Sequence, residues 1–589
     1  MTSSTAGAER TIMDHLLDRL SALGVQHVFG VPGDYNLAVL DRVVAHPDIT
    51  WVGTSGELGA AYAADAYGRT KGFGALLTTF GVGELSAING VAGAYAEHVP
   101  LLHIAIGPTR ETEQAGSPVH HTMLDGDFDR FARAHRQVVC ADAVLSPDNA
   151  VTEIDRVLIA CLRESRPGYL RVPRDTALAP VPPHGPLVVP DPRQGDAFQV
   201  QAFRAAARAR LAAADSVAVL ADFLVDRFRA RDELAGLLRA SSFPHAVLAS
   251  GKTVVDESSA TFLGLYAGAS SRASVRAVID GADLLIRAGV RLTDLTTGKF
   301  THGFDPAEGI DLGPTTVTVD GRAFPDVPLA VALTVLTELA GELIGEGPAA
   351  QPPTTGHERR SEPAWGKRPI GRTAATAVAR ARACCRGVSP MVRPLTQRYL
   401  WQAVAAAVRP GDTVVSDDGT ALFGIVDHPF PRDARFIGQP IWASIGFGLP
   451  ALLGAELGGP SRRGILLVGD GAAQLTVQEL GTIGRHGLKP IIILVDNSGY
   501  TIERTTHGRR AVYNDISDWR WGRVPTALGA RNPLVLGART PWALDRALSR
   551  AVAATDRLVL IQAYTGKDDV PPMLKRLAAN RPDRARWVP

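Results

Sequence analysis

The segment Arg463–Glu503 reads RGILLVGDGAAQLTVQELGTIGRHGLKPIIILVDNSGYTIE and contains two short apolar runs. The first run, Gly464–Val468, ends at a Gly-Asp-Gly sequence centred on Asp470, and the second, Pro490–Val495, ends shortly before Asn497. A strand, a helix and a strand at this spacing predict a right-handed βαβ crossover with two adjacent parallel strands. Asp470 and Asn497 are therefore expected at the carboxyl ends of neighbouring strands, where open α/β sheets bind ligands.

These two positions favour a metal and phosphate site. One carboxylate and one amide oxygen, both hard ligands, suit a Mg²⁺ ion that keeps open positions for phosphate oxygens. Gly-Asp-Gly alone also occurs as an ordinary tight turn, so the interpretation depends on Asn497, which follows a complete βα unit. Between the runs, apolar residues recur at helical spacing, with Thr476 as a candidate N-cap and Glu479 three residues later. This pattern predicts a helix that begins at Thr476.

Length and composition limit the possible classes of protein. A chain of 589 residues suggests three or four domains. The charge is nearly balanced, with 62 basic and 60 acidic residues and no basic stripe, so nucleic acid binding is not expected. No apolar run reaches transmembrane length and no signal sequence is recognisable, so no membrane partner is expected. The four cysteines lack metal-ligand spacing, which favours a reducing, cytoplasmic location.

Alternating strand and helix patterns predict an α/β protein built from parallel sheets. Residues 346–392 are rich in Pro, Gly, Arg, Thr and Ala without apolar periodicity, which is typical of a flexible linker. Elsewhere, Thr316–Phe324 is predicted as one strand and Ile445–Leu457 as one helix. The expected domains are residues 1–180, a smaller domain at residues 195–345, and a third at residues 393–575.

Four further segments identify a family. Gly30–Asn36 reads GVPGDYN, Gly56–Arg69 reads GELGAAYAADAYGR, His120–Met123 reads HHTM shortly before DGDF, and Gly499–Arg504 reads GYTIER. Together with the Gly-Asp-Gly and Asn signature of thiamine diphosphate enzymes, they resemble the 2-oxo acid decarboxylases, which include pyruvate, indolepyruvate and branched-chain enzymes. The resemblance covers nearly the whole chain except the linker. It implies three domains, each a mainly parallel sheet flanked by helices.

The resemblance assigns Glu57 to the pyrimidine ring of thiamine diphosphate. In the family, a Glu at this position hydrogen-bonds the ring, which makes the exocyclic amine acidic enough to form the imine that removes the thiazolium C2 proton. Alone, Glu57 also fits a first-turn acid that complements the helix dipole. Ile445 matches the family's aliphatic residue that holds the cofactor bent, although plain core packing also explains it.

The later proton transfers need acids and bases close to the substrate. The family uses an Asp, two His and a Glu, which here correspond to Asp34, His120, His121 and Glu503. Imidazoles titrate near neutral pH and therefore suit a proton relay. Alone, Asp34 fits a helix cap and the His pair fits a polar loop. Related thiamine enzymes that join two oxo acids typically lack the His pair, so these residues favour a decarboxylase.

The resemblance also assigns cofactor, metal and substrate contacts. Mg²⁺ is expected to bind Asp470, Asn497 and the carbonyl of Gly499. Asp418, a second acid beside Asp417, departs from the family pattern and is expected to change hydrogen bonding near the aminopyrimidine. The substrate pocket is expected to contain Leu295, Leu422, Ile502 and Thr506. Thiamine diphosphate is expected to contact Glu57, Gly419, Thr420, Ala443, Ile445, Gly469, Asp470, Gly471, Ala472, Asn497, Gly499 and Tyr500.

These assignments predict non-oxidative decarboxylation of a 2-oxo acid to an aldehyde through a thiamine diphosphate enamine. Leu295 and Leu422 stand where pyruvate-selective members tend to carry aromatics, so the roomier apolar pocket favours a branched-chain or aromatic substrate. The alternatives are an acyloin-forming carboligase that uses the same enamine and a non-catalytic thiamine diphosphate-binding scaffold. Glu57 and the metal ligands lie in different domains, and in the family this site forms between two subunits. The resemblance therefore implies an obligate homodimer, or a tetramer of two dimers.

Overall fold

Three sheets flanked by helices make up the described part of the computed structural model, which comprises residues 10–345 and 391–579. Nearly all of the predicted linker at residues 346–392 lies outside the described residues. The first and third sheets are parallel, and the middle sheet is mixed. The predicted class, α/β with three mainly parallel sheets, is confirmed. In the two described ranges, every helix is too short or too polar to span a bilayer.

The first sheet has the strand order β2-β1-β3-β4-β6-β5. Its central strands β3 and β4 are wholly buried and consist mainly of apolar residues, as expected for parallel strands covered on both faces. They pair Gly74 with Leu101 and Thr79 with Ile106. In chain order, the elements are α1 (Ile12–Ala22), β1 (His27–Gly30), α2 (Leu37–Ala45), β2 (Thr50–Gly53), α3 (Glu57–Lys71), β3 (Gly74–Thr79), α4 (Val82–Ala96), β4 (Leu101–Gly107), α5 (Arg110–Gln114), α6 (Arg130–His135), β5 (Ala141–Val144), α7 (Ala150–Glu164), β6 (Gly168–Pro173) and α8 (Arg174–Leu178).

The middle sheet has the order β13-β12-β11-β10-β7-β8-β9. The predicted single strand Thr316–Phe324 is wrong, because the chain reverses at Asp320 and Gly321 and forms an antiparallel hairpin. Both turn residues have positive φ, and an Asp-Gly pair is a strong hairpin signal. The elements are α9 (Ala197–Ala212), β7 (Val217–Ala221), α10 (Leu224–Arg227), α11 (Arg231–Ser241), β8 (His245–Val247), β9 (Phe262–Leu265), α12 (Ala273–Asp280), β10 (Leu284–Ala288), β11 (Ile310–Leu312), β12 (Thr316–Val319), β13 (Arg322–Pro325) and α13 (Leu329–Gly345).

The third sheet has the order β15-β14-β16-β17-β19-β18. The predicted crossover is present, since β16 and β17 are parallel neighbours that pair Ile465 with Ile491 and Gly469 with Val495. The elements are α14 (Gln397–Ala407), β14 (Thr413–Ser416), α15 (Thr420–Ile425), β15 (Arg435–Ile437), α16 (Gly448–Gly458), β16 (Gly464–Gly469), α17 (Asp470–Thr476), α18 (Glu479–Arg485), β17 (Ile491–Asp496), α19 (Thr501–Thr506), α20 (Val524–Ala527), β18 (Leu534–Ala538), α21 (Pro541–Ala553), β19 (Val559–Tyr564) and α22 (Pro572–Ala579).

Two predicted helix starts in the third domain are wrong. The crossover helix begins at Asp470, directly after β16, and Thr476 ends it. The Thr476 hydroxyl donates to the carbonyl of Gly446 (2.7 Å) and does not cap a helix. The helix predicted to begin at Ile445 begins at Gly448, because Gly446 adopts a φ of 90° that interrupts the helical backbone. Ile445 therefore lies in the segment before α16.

The first and third domains share one hydrophobic core. Helices α3 and α16 pack directly against each other, and a Cβ at Gly454 would lie 1.9 Å from the carbonyl oxygen of Ala63. The stretch Gly59–Gly68 of α3 is buried without interruption. Buried side chains from both domains, such as Leu77 and Leu466, belong to the same cluster. The glycine permits the close approach that joins the two domains.

Candidate active site

Asp34 lies in the loop between β1 and α2. The Asn36 side chain fixes this loop, because its Oδ1 accepts from the N–H of Gly33 (2.9 Å) and its Nδ2 donates to the carbonyl of Val31 (3.1 Å). The Asp34 side chain is half exposed at the carboxyl end of the strand. The loop therefore holds a solvent-accessible carboxylate at an edge where α/β sheets bind ligands.

Two histidines from a distant loop meet Asp34. Nε2 of His120 lies 2.6 Å from Oδ2 of Asp34, and the rings of His120 and His121 have centroids 4.5 Å apart. Tyr35 stacks on His120 with ring centroids 4.9 Å apart, and its hydroxyl donates to the His120 carbonyl (3.1 Å). One carboxylate and two imidazoles thus form a cluster that can accept, hold and deliver a proton.

Glu57 begins α3 and lies beside the turn Gly81–Gly83. A Cβ at Gly83 would lie 3.2 Å from Oε1 of Glu57, and a Cβ at Gly81 would lie 2.1 Å from the carbonyl oxygen of His121. Gly81 also has a φ of 66°, so only glycine fits there without strain. The same turn therefore contacts both Glu57 and the backbone of the histidine pair.

Sequence reasoning missed the carboxyl group that supports this turn. Glu84 is fully buried, and it accepts from the N–H of Gly81 (2.8 Å) and from the hydroxyl of Tyr169 (2.6 Å). Burial raises the pKa of Glu84 to about 7, although both hydrogen bonds oppose this shift. The available signal was the spacing of a capping box, an acid three residues after the N-cap of α4.

Asp470 and Asn497 meet at the ends of β16 and β17, as the crossover requires. Asp470 is 2% exposed, and its carboxylate accepts from the N–H groups of Gly471 (2.8 Å), Asn497 (3.0 Å) and Gly499 (3.3 Å). Burial raises the pKa of Asp470 to about 6, while these hydrogen bonds favour the charged form. The backbone thus orients a buried carboxylate that water reaches poorly.

Three oxygen atoms converge at this point. The side-chain oxygen of Asn497 lies 3.1 Å from Oδ1 of Asp470 and 3.0 Å from the carbonyl oxygen of Gly499. Oxygens this close repel one another unless the amide rotates to present its NH₂ group or a cation lies among them. A carboxylate, an amide oxygen and a backbone carbonyl are preferred ligands of a hard divalent cation. The residues present therefore fit such an ion.

Arg504 supports the loop that carries this carbonyl. Its guanidinium is buried and donates to the carbonyls of Asn497 (3.2 Å), Ser498 (2.5 Å) and Asn514 (3.2 Å). Gly499 has a φ of 123°, and a Cβ there would lie 2.1 Å from the Asn514 carbonyl oxygen. Sequence reasoning did not predict this supporting role of Arg504, because the three carbonyls reach the guanidinium only once the loop has folded.

The other residues assigned to the cofactor lie at three strand ends and in the segment before α16. Gly419 (φ 128°) and Thr420 follow β14, and Ala443 (φ 55°) and Ile445 precede α16. Ile445 is 37% exposed, so core packing alone does not explain it. Of the remaining positions, Gly469 ends β16, Gly471 and Ala472 follow it, and Tyr500 follows β17.

Three of the four residues assigned to the substrate pocket join one hydrophobic cluster. Leu422 is buried in it, and Leu295 and Ile502 pack against it, although they come from three distant parts of the sequence. Thr506 differs, because its hydroxyl donates to the carboxylate of the exposed Glu503 (3.4 Å). The Thr506 hydroxyl therefore has a partner within its own helix.

Family models match all three domains. They describe the N-terminal TPP binding domain (residues 10–132), the central domain (residues 204–339) and the C-terminal TPP binding domain (residues 420–563) of thiamine pyrophosphate enzymes. The matched ranges cover most of the chain and include both groups of candidate residues. The predicted dependence on thiamine diphosphate is confirmed.

Curated relatives are similar over nearly their whole length. An alpha-keto-acid decarboxylase of Mycobacterium ulcerans is 46% identical over 97% of this chain and 96% of its own. Proteins of the same name from Mycobacterium tuberculosis (45% identical, 97% of both chains) and Mycolicibacterium paratuberculosis (44% identical, 98% of both chains) are similar. The predicted decarboxylase family is confirmed. The chain therefore belongs to the alpha-keto-acid decarboxylases, a family of thiamine pyrophosphate enzymes.

Proposed function

We propose that this enzyme converts a 2-oxo acid with a bulky apolar side chain, branched-chain or aromatic, into CO₂ and an aldehyde, with Mg²⁺ as its metal. The observation that carries the metal is the meeting of the Asp470 carboxylate, the Asn497 side-chain amide and the Gly499 carbonyl at the ends of two adjacent strands. Mg²⁺ prefers oxygen ligands and would keep positions open for diphosphate oxygens. Bound thiamine diphosphate supplies the carbon nucleophile and the electron sink for decarboxylation.

The residues of this chain then handle protons and exclude water. Glu57 would hydrogen-bond the pyrimidine ring of the cofactor, and Ile445 would pack against the cofactor. Asp34 and His120 share a hydrogen bond of 2.6 Å, so the pair can exchange a proton with the product-forming carbon while His121 lies beside it. Glu503, exposed on α19, serves as the further acid or base.

Substrate size follows from the cluster that contains Leu295, Leu422 and Ile502. Leucine and isoleucine leave more space than the aromatic residues of pyruvate-selective members, and they offer no hydrogen bond to a polar side chain. An additional buried methylene contributes about 1–3 kcal/mol of discrimination. Larger apolar side chains should therefore react with higher kcat/KM than the methyl group of pyruvate.

An exposed apolar strip supports the proposed homodimer. Trp442 donates through Nε1 to Oδ1 of Asn89 (2.9 Å), so the strip crosses from the first domain to the third. It contains Ile445, which is assigned to the cofactor, and burial of the strip against a second copy would remove these apolar side chains from water. Leu475→Glu should dissociate the dimer in analytical ultracentrifugation, whereas the exposed Val188→Glu, outside the strip, should not. The strip consists of Val82 (55% exposed), Leu85 (37%), Trp442 (41%), Ile445 (37%) and Leu475 (49%).

Product analysis tests the proposed reaction. The enzyme, loaded with thiamine diphosphate and Mg²⁺, is incubated with pyruvate, 4-methyl-2-oxopentanoate and phenylpyruvate, with and without an acceptor aldehyde. We expect aldehyde as the main product and the highest kcat/KM for one of the two larger acids. Acyloin as the main product would favour the carboligase instead. Pyruvate as the best substrate would contradict the proposed pocket.

A further inference from the structure

The segment Ile441–Gly448 lies between β15 and α16, ends at the first residue of α16, and carries Ala443 and Ile445. Residues 441–447 have no regular secondary structure, and two of them, Ala443 and Gly446, have positive φ. Such a conformation needs support from outside the segment, because the backbone alone does not favour it. Two buried carboxyl groups, one from the first domain and one from the third, supply hydrogen bonds to its two ends.

Asp417 supports the carboxyl-terminal end. It is fully buried after β14, and its Oδ1 accepts from the N–H of Gly446 (3.1 Å) while Oδ2 accepts from the N–H of Gly448 (2.8 Å). A Cβ at Gly448 would lie 2.9 Å from Oδ2, so glycine permits this approach. Burial raises the pKa of Asp417 to about 7, while these two hydrogen bonds favour its charged form.

Glu97 supports the amino-terminal end from the other domain. It is 1% exposed at the end of α4, and its Oε1 accepts from the N–H groups of Ile441 (2.8 Å) and Trp442 (3.3 Å). Oε2 of Glu97 lies 3.7 Å from Nη1 of Arg69, which also donates to the carbonyl of Gly438 (2.8 Å). The hydrogen bond between Glu97 and Ile441 joins residues that lie 344 positions apart in the sequence.

The middle of the segment is held more weakly and faces outward. The Ser444 hydroxyl lies 2.6 Å from that of Tyr62, and Asn89 contacts both Ser444 and Trp442. Ile445, between the two anchors, remains 37% exposed. Four backbone N–H groups bound to two carboxylates at the ends thus fix how far the Ile445 side chain projects.

We propose that Asp417 and Glu97 are positioning residues that hold Ile441–Gly448 in the conformation that presents Ala443 and Ile445 to the cofactor. This inference rests on the proposed role of Ile445. Neither acid touches the cofactor in this assignment; both act through the segment. Asp417→Asn would remove one acceptor oxygen and place an NH₂ group against a backbone N–H. Glu97→Gln would place an uncharged amide next to Arg69.

The test compares Asp417→Asn and Glu97→Gln with Glu456→Gln. Glu456 is a matched control, because it is a buried carboxyl that accepts from a backbone N–H, that of Gly464 (2.8 Å), outside the segment. Thiamine diphosphate is titrated into each apo-protein with Mg²⁺ present, and binding is followed by tryptophan fluorescence; Tm is measured in parallel. We expect the two anchor variants to bind about tenfold more weakly or worse, and the control to bind within about twofold of wild type.

A double-mutant cycle separates positioning from general destabilisation. In an Ile445→Ala background, Asp417→Asn should cost far less additional affinity than it does alone, because both changes remove the same support. The inference would be overturned if the anchor and control variants lost equal affinity for thiamine diphosphate at equal Tm. It would also be overturned if the losses of affinity from Asp417→Asn and Ile445→Ala multiplied fully. Wild-type protein that fails to bind thiamine diphosphate would instead contradict the proposed function.

Discussion

The first and third domains have the same strand order but carry different chemistry. Numbered from their own first strand, both sheets read 2-1-3-4-6-5. The connection after the first strand carries the exposed Asp34 in one domain and the buried Asp417 in the other. The connection after the third strand carries the turn Gly81–Gly83 in one and Asp470 in the other. A shared topology therefore sets the positions, and the side chains that occupy them differ in the roles proposed for them, proton transfer in the first domain and ion binding in the third.

The connection after the second strand differs most. It spans residues 54–56 before α3, but residues 438–447 before α16. The short connection places Glu57 directly at a helix start, whereas the long one carries Ile445 and is the connection that Asp417 and Glu97 are proposed to anchor. The middle sheet, which ends in an antiparallel hairpin, has no counterpart to either connection in the cofactor assignment, and Leu295 is its one residue assigned to the proposed pocket.

The largest expected effect comes from removal of the ion ligand of the third domain. Asp470→Ala should reduce retention of metal and cofactor by at least about 100-fold, because one charged ligand and three oriented N–H partners are lost. Metal and thiamine diphosphate are quantified after gel filtration of the loaded protein. Asp496→Asn is the control, since Asp496 ends the neighbouring strand β17 and accepts from Nε2 of Gln562 (2.7 Å). Full retention by Asp470→Ala would remove the ion site from this domain.

The corresponding substitution in the first domain, at Glu57, should leave the binding of thiamine diphosphate intact but slow the exchange of the cofactor's C2 proton. Glu57→Gln keeps the shape and a hydrogen bond but loses the ionisable proton, so exchange of the cofactor C2 proton should slow by about 100-fold or more. Exchange is measured by quenched proton NMR. Glu153→Gln removes another first-turn acid, that of α7, and should have no effect. Unchanged exchange in Glu57→Gln would reduce Glu57 to a helix-start acid.

A smaller effect concerns the proposed substrate pocket at Leu295, Leu422 and Ile502. Leu422→Trp should lower the preference for 4-methyl-2-oxopentanoate over pyruvate by about tenfold, because the indole fills the space of the larger substrate. The ratio of kcat/KM values measures this preference. Overpacking itself costs about 1–3 kcal/mol, so Ile425→Phe, in the same helix and cluster, controls for it. A preference that is identical in Leu422→Trp and wild type would exclude Leu422 from the pocket.

The smallest effect tests a property that the two domains share. Burial raises the pKa of Glu84 in the first domain and of Glu456 in the third to about 7. The unfolded chain ionises these groups near pH 4.5, so each lowers the free energy of unfolding as pH rises from about 4.5 to 7. Glu456→Gln removes this penalty. It should therefore destabilise the protein less at pH 8 than at pH 5, by about 1–3 kcal/mol in urea unfolding. A difference independent of pH would contradict the raised pKa.

The sequence predicted the parts of this comparison that depend on local pattern. Apolar runs and the residues after them predicted the βαβ crossover and the meeting of Asp470 with Asn497. Helix starts were less predictable, because contacts between distant segments, and not local periodicity, determine the conformation at Gly446 and Thr476. The contact of Glu97 with the third domain was not predicted, and the convergence of Leu295 with Leu422 was expected only from the family resemblance, since contacts across such distances leave no spacing signal in one sequence.

The contact between α3 and α16 has a consequence for synthesis of the chain. Ten consecutive residues of α3, Gly59–Gly68, are buried, and part of their cover is α16. A ribosome must therefore add nearly 400 further residues before the first domain can complete its core. Until Gly454 emerges, the face of α3 that packs on α16 stays uncovered, and chains that stop after the middle domain are candidates for chaperone binding and aggregation.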